Sequence, residues 1–308
     1  MNVFWNIAPI FVVILIGYLG RRWGLIPLGF VGPANRVVFY IGIPSLLLKA
    51  IMGAPLREIL NPSLLACFVI SPPLVWLFAL AFLHWGRISK GRARGSFLQG
   101  AVHGNLGYVG LAVTLYVLGE EGIRLAGVVI GFLIITQNVL GVLSLTLYSE
   151  EASRKRVSVS LITNPIIIAC FSGLLISCLG LPVPEPAART LHILGGMALP
   201  TALLIIGANL SLPQIRGEIG AIVSLAALKL FLLPLVGLAL ANLFLHPSPL
   251  EKGVIISLLG APTATVTSIM AGEMGGDAGL ASGAVTFTLL LSMLTYTFWF
   301  TWHIPPSL

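Results

Sequence analysis

Apolar stretches of about 20 residues recur from the first residues of this chain to its last, separated by short polar breaks. A helix needs about 20 mostly apolar residues to cross the hydrocarbon core of a bilayer. In that medium each backbone N–H and C=O must find a partner within the protein, so every such stretch reads as a helix. Composition agrees, with 57% hydrophobic and only 9% charged residues, against about 25% charged residues in a soluble domain. The expected fold class is an all-α polytopic membrane protein. Its ten transmembrane helices are expected near 3–20, 34–53, 62–84, 96–118, 123–147, 161–180, 189–210, 218–244, 252–272 and 278–302. The opening Met1-Asn2-Val3-Phe4-Trp5 has no basic region or small-residue cleavage site, so the first stretch is expected to stay as a span.

The net charge of +7 does not point to nucleic acid, because the basic residues fall in the breaks, where they set topology. Alternate breaks carry unequal shares. One set holds Arg21, Arg22, Arg36, Arg87, Lys90, Arg92, Arg94, Arg154, Lys155, Arg156 and Arg216; the other holds Arg57, Arg124, Arg189 and Lys252. The richer set is expected on the cytoplasmic side of the cell membrane. An even number of spans then leaves both termini non-cytoplasmic. No cofactor or metal is expected: Cys67, Cys170 and Cys178 lie in apolar stretches without His or Cys partners at ligand spacing, and read as small core residues.

Laid on itself at a shift of 156 residues, the chain shows an internal repeat. Pro9 meets Pro165, Gly17 meets Gly173, and Ile43-Pro44-Ser45-Leu46-Leu47 meets Leu199-Pro200-Thr201-Ala202-Leu203. Further on, Glu121-Gly122 to Gly127 meets Asp277-Ala278 to Gly283. The expected units are 1–148 and 161–308, joined by a cytoplasmic linker at 149–160. Each unit holds five spans, an odd number, so the second must enter the membrane from the opposite side and the repeat is inverted.

Inverted repeats of this kind bind their substrate near the midplane, between discontinuous helices. Span four reads Gln99-Gly100-Ala101-Val102-His103-Gly104-Asn105-Leu106-Gly107-Tyr108-Val109-Gly110. Each glycine costs a helix about 1 kcal/mol relative to alanine, which weakens it near Gly104 and Asn105. Span nine reads Leu259-Gly260-Ala261-Pro262-Thr263-Ala264-Thr265, where Pro262 removes a donor and disfavours helical geometry at Ala261. The repeat shift sets Gly104 on Gly260, so the two breaks coincide. A half-helix that begins after a break presents unpaired N–H groups and a positive dipole end, which favours an anion.

These residues resemble the auxin efflux carrier family, in its bacterial branch of malonate and organic-anion carriers, and more distantly the plant PIN-type carriers. The resemblance runs through Phe39-Tyr40-Ile41-Gly42-Ile43-Pro44, Gly104-Asn105-Leu106-Gly107-Tyr108-Val109-Gly110, Thr163-Asn164-Pro165, Ala198-Leu199-Pro200 to Asn209-Leu210, Lys229 to Pro234, Pro262 and Ser282-Gly283. It implies two inverted five-helix repeats, spans four and nine crossing at their breaks, and a scaffold part that moves against the crossover part. One departure stands out: Leu111-Ala112 occupies the place where family members often have proline after the Gly-Asn of span four.

Polar residues within spans are costly and each asks for a reason. The expected substrate-binding residues are Gly104, Asn105, Leu106, Gly107, Gln137, Asn138, Ala261, Pro262, Thr263, Thr265 and Lys229. Asn105 can donate to a carboxylate and hold unwound backbone. Thr263 and Thr265 serve equally well to cap freed carbonyls, and Lys229 either meets a carboxylate or anchors a helix. Lys49 reads as a side chain reaching the interface. His103, with a reference pKa of about 6.5, is the candidate for proton coupling; sodium coupling and no coupling stay open, as does a homodimer. The expected activity is alternating-access transport of a small organic anion, a mono- or dicarboxylate that is auxin-like or malonate-like. The alternatives are an ion-coupled symporter of a larger, bile-acid-like amphipathic acid, or an anion channel. An enzyme is disfavoured because His84, His103, His192, His246 and His303 are scattered.

Overall fold

The computed structural model describes residues 3–52, 61–85, 91–149, 163–210 and 218–304. These residues form helices joined by short connections, with no strand among them. Arg57, Arg87, Lys90, Arg154, Lys155, Arg156 and Arg216, and the expected linker beyond Ser149, lie outside the described residues.

Helix α1 spans Val3–Arg22. The run α2 (Leu28–Val37), a π-helical turn (Val38–Gly42) and α3 (Ile43–Met52) follows, then α4 (Pro62–Trp85) and α5 (Ala93–Val102). After three non-helical residues, a second π-helical turn (Leu106–Gly110) leads into α6 (Leu111–Tyr148). The second half holds α7 (Pro165–Cys178), α8 (Glu185–Gly196) and α9 (Ala198–Ala208). It continues with α10 (Ile219–Ala227), a π-helical turn (Leu228–Leu232) and α11 (Leu233–Phe244). Helices α12 (Pro249–Leu259), α13 (Val266–Glu273) and α14 (Ala278–His303) complete it.

Local chemistry sets these ends. The Asn164 side chain accepts from the amides of Ile166 and Ile167, with Pro165 in the first turn of α7. Ser248 and Glu251 form a capping box on α12, and Asp277 caps α14 through the Leu280 amide at 2.9 Å.

Seven helical runs among the described residues are long and apolar enough to cross a membrane: Phe4–Arg22, Gly29–Met52, Pro62–His84, Leu106–Tyr148, Glu185–Ala208, Ile219–Phe244 and Ala278–His303. The difference from the expected ten has physical causes. Pro165–Cys178 is apolar but shorter. Helices α5, α12 and α13 are each interrupted pieces of about two or three turns. The 43-residue run Leu106–Tyr148 is two helices folded together. Gly119 joins them with φ 69° and ψ −160°, a conformation open to glycine. A Cβ placed on Gly122 would stand 3.2 Å from Cγ2 of Thr114, whereas eight residues of straight helix span about 12 Å.

Packing is closest where glycine lets backbones touch. Helix α1 lies on α9, with Gly207 against the Ile14 carbonyl and Gly17 against the Leu204 carbonyl. Helix α7 lies on α3, with a Cβ on Gly173 only 2.9 Å from Ile51 Cβ. Small residues at such crossings are the membrane route to dispersion contact, because lipid offers no hydrophobic drive between helices. The outer faces carry apolar side chains into the surroundings, among them Leu15, Leu77, Phe78, Leu243 and Leu294. Cys67 and Cys170 are buried, but Cys178, expected in the core, is exposed as the last residue of α7.

Gly207→Val forces the α1–α9 backbones apart, at an expected cost of about 1–3 kcal/mol or more. Thermal unfolding in detergent is expected to show a clearly lowered midpoint for it, while Gly196→Ala, with open space around the added methyl, stays near wild type. Equal midpoints for both variants contradict the close approach.

Candidate functional site

Helix α5 stops at Val102 because the chain leaves helical geometry at His103 (φ −89°, ψ 95°) and Asn105 (φ −77°, ψ 69°). Helix α12 stops at Leu259, and residues 260–265 are non-helical before α13 begins. The two interruptions meet. The Asn105 amide donates to the Pro262 carbonyl at 2.7 Å and the Ala264 amide donates to the His103 carbonyl at 3.0 Å, which pairs Gly104 with Thr263 as a short antiparallel bridge. The first interruption is achieved without proline, by glycine and by pairing with the second.

Side chains satisfy the remaining freed groups. The Gly104 amide donates to Gln137 Oε1 at 3.0 Å. Thr263 Oγ1 donates to the Gly100 carbonyl at 3.0 Å, and its amide donates to Thr288 Oγ1 at 3.0 Å. All four last carbonyls of α12 are occupied: Ile256 by the Gly260 amide, Leu258 by the Ala261 amide, Ser257 by the Tyr296 hydroxyl at 2.8 Å and Leu259 by Lys229 Nζ at 2.8 Å. Lys229 is fully buried, and a Cβ on Gly104 would stand 3.0 Å from its Nζ. Its side chain therefore supports the crossing from behind.

In front of the crossing lies a cavity of about 370 Å³. Of the residues expected to bind substrate, Gly104, Asn105, Leu106, Gly107, Gln137, Asn138 and Thr265 line it, together with His103. Ala261, Pro262, Thr263 and Lys229 do not; they are buried in or behind the crossed backbone. The lining also includes Asn35, Arg36, Tyr108 and Asn164, which sequence reasoning did not assign to a site. Arg36 reads in the sequence as a topology charge, and its place about two turns before Pro44, where the Phe39 to Pro44 motif ends, gives no sign of a lining role. Asn164 did carry a signal, since it belongs to the Thr163-Asn164-Pro165 motif. Tyr108 donates to Asn35 Oδ1 at 2.6 Å, tying the second π-helical turn to α2.

No Asp or Glu lines this cavity, and Arg36 supplies a guanidinium with no ion-pair partner among the described residues. Besides that guanidinium, the polar lining consists of side-chain amides, hydroxyls and the His103 imidazole. Gln137 Nε2 and His103 Nδ1 are buried without a protein partner. No group of His, Cys, Asp or Glu among the described residues could hold a metal ion.

Two comparisons bear on this geometry. The profile of the family described as membrane transport protein matches residues 2–156 and 149–300. The chain belongs to this family. As a membrane transport protein of the auxin efflux carrier type, it is similar to a Rhizobium meliloti protein named "Putative malonate transporter", at 26% identity across 94% of this chain and 92% of that one. It is also similar to a Methanothermobacter thermautotrophicus protein named "Uncharacterized transporter", at 24% identity across 96% of both chains. The matches run the length of the multi-pass bundle, including both interrupted helices.

Gln137→Leu leaves the buried Gly104 amide unpaired, which costs about 1–3 kcal/mol. Asn138→Leu removes an amide whose Nδ2 bonds within its own helix, to the Ile134 carbonyl at 2.8 Å. Thermal unfolding in detergent is expected to lower the midpoint for Gln137→Leu by several degrees more than for Asn138→Leu; the reverse order rejects the bracing role of Gln137.

Proposed function

We propose that this transporter moves a small mono- or dicarboxylate, malonate-like or auxin-like, across the cell membrane by alternating access. The observation that carries the reading is the pair of interrupted helices crossed through backbone hydrogen bonds at the floor of a cavity that holds a guanidinium and no carboxylate. A carboxylate entering this space meets Arg36 at the rim and Asn105, Asn138 and Thr265 within it. Charge-assisted hydrogen bonds are the strongest that such a site can offer.

Counting the interrupted helices as spans gives ten, in two inverted five-helix repeats at 1–148 and 161–308 with a linker at 149–160. The packing supports this count. The 156-residue shift carries α1 onto α7 and the α8–α9 run onto the α2–α3 run, so the α1–α9 and α3–α7 crossings exchange. In this reading the rim with Arg36 faces the cytoplasm and both termini lie on the other side. His103 is the side chain we assign to proton coupling. The crossover arms α5, α12 and α13 with the second π-helical turn move against the scaffold built on the α1–α9 and α3–α7 pairs.

Counterflow in proteoliposomes, screened with malonate, other short dicarboxylates and aromatic acetates, tests the proposal. At least one acid is expected to exchange, and Arg36→Gln and Asn105→Ala are each expected to weaken its apparent affinity about tenfold or more, the equivalent of one charge-assisted hydrogen bond. Exchange of no organic anion, or full exchange in both variants, sinks this assignment.

A further inference from the structure

Two more recesses share Tyr116, on the arm of α6 that continues from the second π-helical turn, and one of them holds Lys49, at the end of the α2–α3 run opposite Arg36. One of about 370 Å³ is lined by the start of α1 with Asn6, Pro9 and Ile10, and by Tyr116 and Pro200. The other, about 130 Å³, also includes Tyr116 and Pro200, with Lys49, Glu120 and His192. The shared residues make them neighbours.

Their linings repeat the main cavity in register. Shifted by 156 residues, Asn35, Arg36, Phe39 and Tyr40 of the main cavity become Leu191, His192, Gly195 and Gly196, and all four line the smaller recess. Ile166 of the main cavity likewise becomes Ile10 of the larger one. The position of Arg36 is thus taken by His192. Across from it, Lys49 Nζ lies 2.9 Å from His192 Nδ1. An ammonium has donors and no acceptor, so Nδ1 accepts and the ring proton sits on Nε2. The pair therefore offers N–H donors to the recess, from both the ammonium and the imidazole.

Other charges near it are accounted for. Arg189 and Glu185, on the same helix as His192, pair with each other. Glu120 lines the same recess and is the acidic group that an incoming anion must displace from its neighbourhood.

We propose that Lys49 and His192 form the anion-capture site at the second mouth of the transport path, receiving a carboxylate on the membrane side opposite Arg36. The proposal rests on the inverted-repeat transport reading above and deepens it. Lys49 is then more than a side chain reaching the interface.

The test uses the full chain in proteoliposomes with exposed Cys178 changed to Ser. Cysteines introduced one at a time, Tyr116→Cys or Ile269→Cys, with the buried Cys67 and Cys170 left in place, are labelled with membrane-impermeant thiol reagents, an anionic sulfonate and a cationic trimethylammonium of the same reactive group. Tyr116→Cys is expected to react from the side opposite Ile269→Cys, and to favour the anionic reagent. That preference is expected to fall about fivefold when Lys49→Gln is added, consistent with the scale of electrostatic focusing in clefts. It is expected to survive His192→Arg, which copies Arg36, and Lys252→Gln, which lies outside the recess. Labelling of both cysteines from one side, or a preference indifferent to Lys49→Gln, overturns the proposal. The labelling needs no transported substrate, so a preference indifferent to Lys49→Gln alongside normal malonate exchange rejects the capture site alone.

Discussion

A break in a membrane helix exposes backbone groups where no water can reach them, and each unsatisfied group costs several kcal/mol in hydrocarbon. This protein breaks two helices at one depth and lets them satisfy each other. The antiparallel bridge between Gly104 and Thr263 is the smallest unit of sheet, yet the surrounding bundle is arranged to keep it. Gln137 holds the Gly104 amide, Thr263 holds the Gly100 carbonyl, and Lys229 and Tyr296 close the end of α12. Three different helices are therefore committed to the same few residues of unwound chain.

The electrostatic character of the cavity follows from that arrangement. The last four carbonyls of α12, and those of Gln99 and Gly100 in α5, are consumed by donors, and the lining of the cavity adds no carboxylate. Lys229 spends its Nζ on a carbonyl behind the floor, where it braces the backbone, and the guanidinium that reaches the cavity comes instead from Arg36 at the end of α2. Support behind the floor and positive charge at the cavity are thus supplied by different cations on different helices.

Much of this was legible in the sequence. Periodic apolar stretches gave the helices, and glycine-rich and proline-containing interruptions at matched places located both breaks within a residue or two. Asn105, His103, Gln137 and Asn138, which line the cavity, stand out in the sequence because amides and imidazoles are rare in spans. Legibility failed where a role depends on another helix. Arg36 reads as a topology charge until α2 is seen beside the second π-helical turn, and nothing in the sequence marks Tyr108 until Asn35 is opposite its hydroxyl. Of the two roles open to Thr263, the crossing shows the capping of a freed carbonyl, that of Gly100, and it keeps Thr263 and Pro262 out of the cavity lining. Gly119 was not singled out at all, since one glycine between two apolar runs does not announce a reversal. The ends of α7, α12 and α14 follow from their capping residues and needed no tertiary information.

A floor built of main chain has a consequence for how such a protein diversifies. The hydrogen bonds of Asn105 to Pro262 and of Ala264 to His103 run from main chain to main chain and need only that the donor is not proline, so residues around the rim are free to vary without unmaking the floor of the cavity. Asn138, whose amide bonds only within its own helix, can be exchanged alone, whereas Asn35 holds the Tyr108 hydroxyl and Asn164 caps α7. Selectivity can then drift by single steps while the architecture that makes transport physically possible is inherited intact.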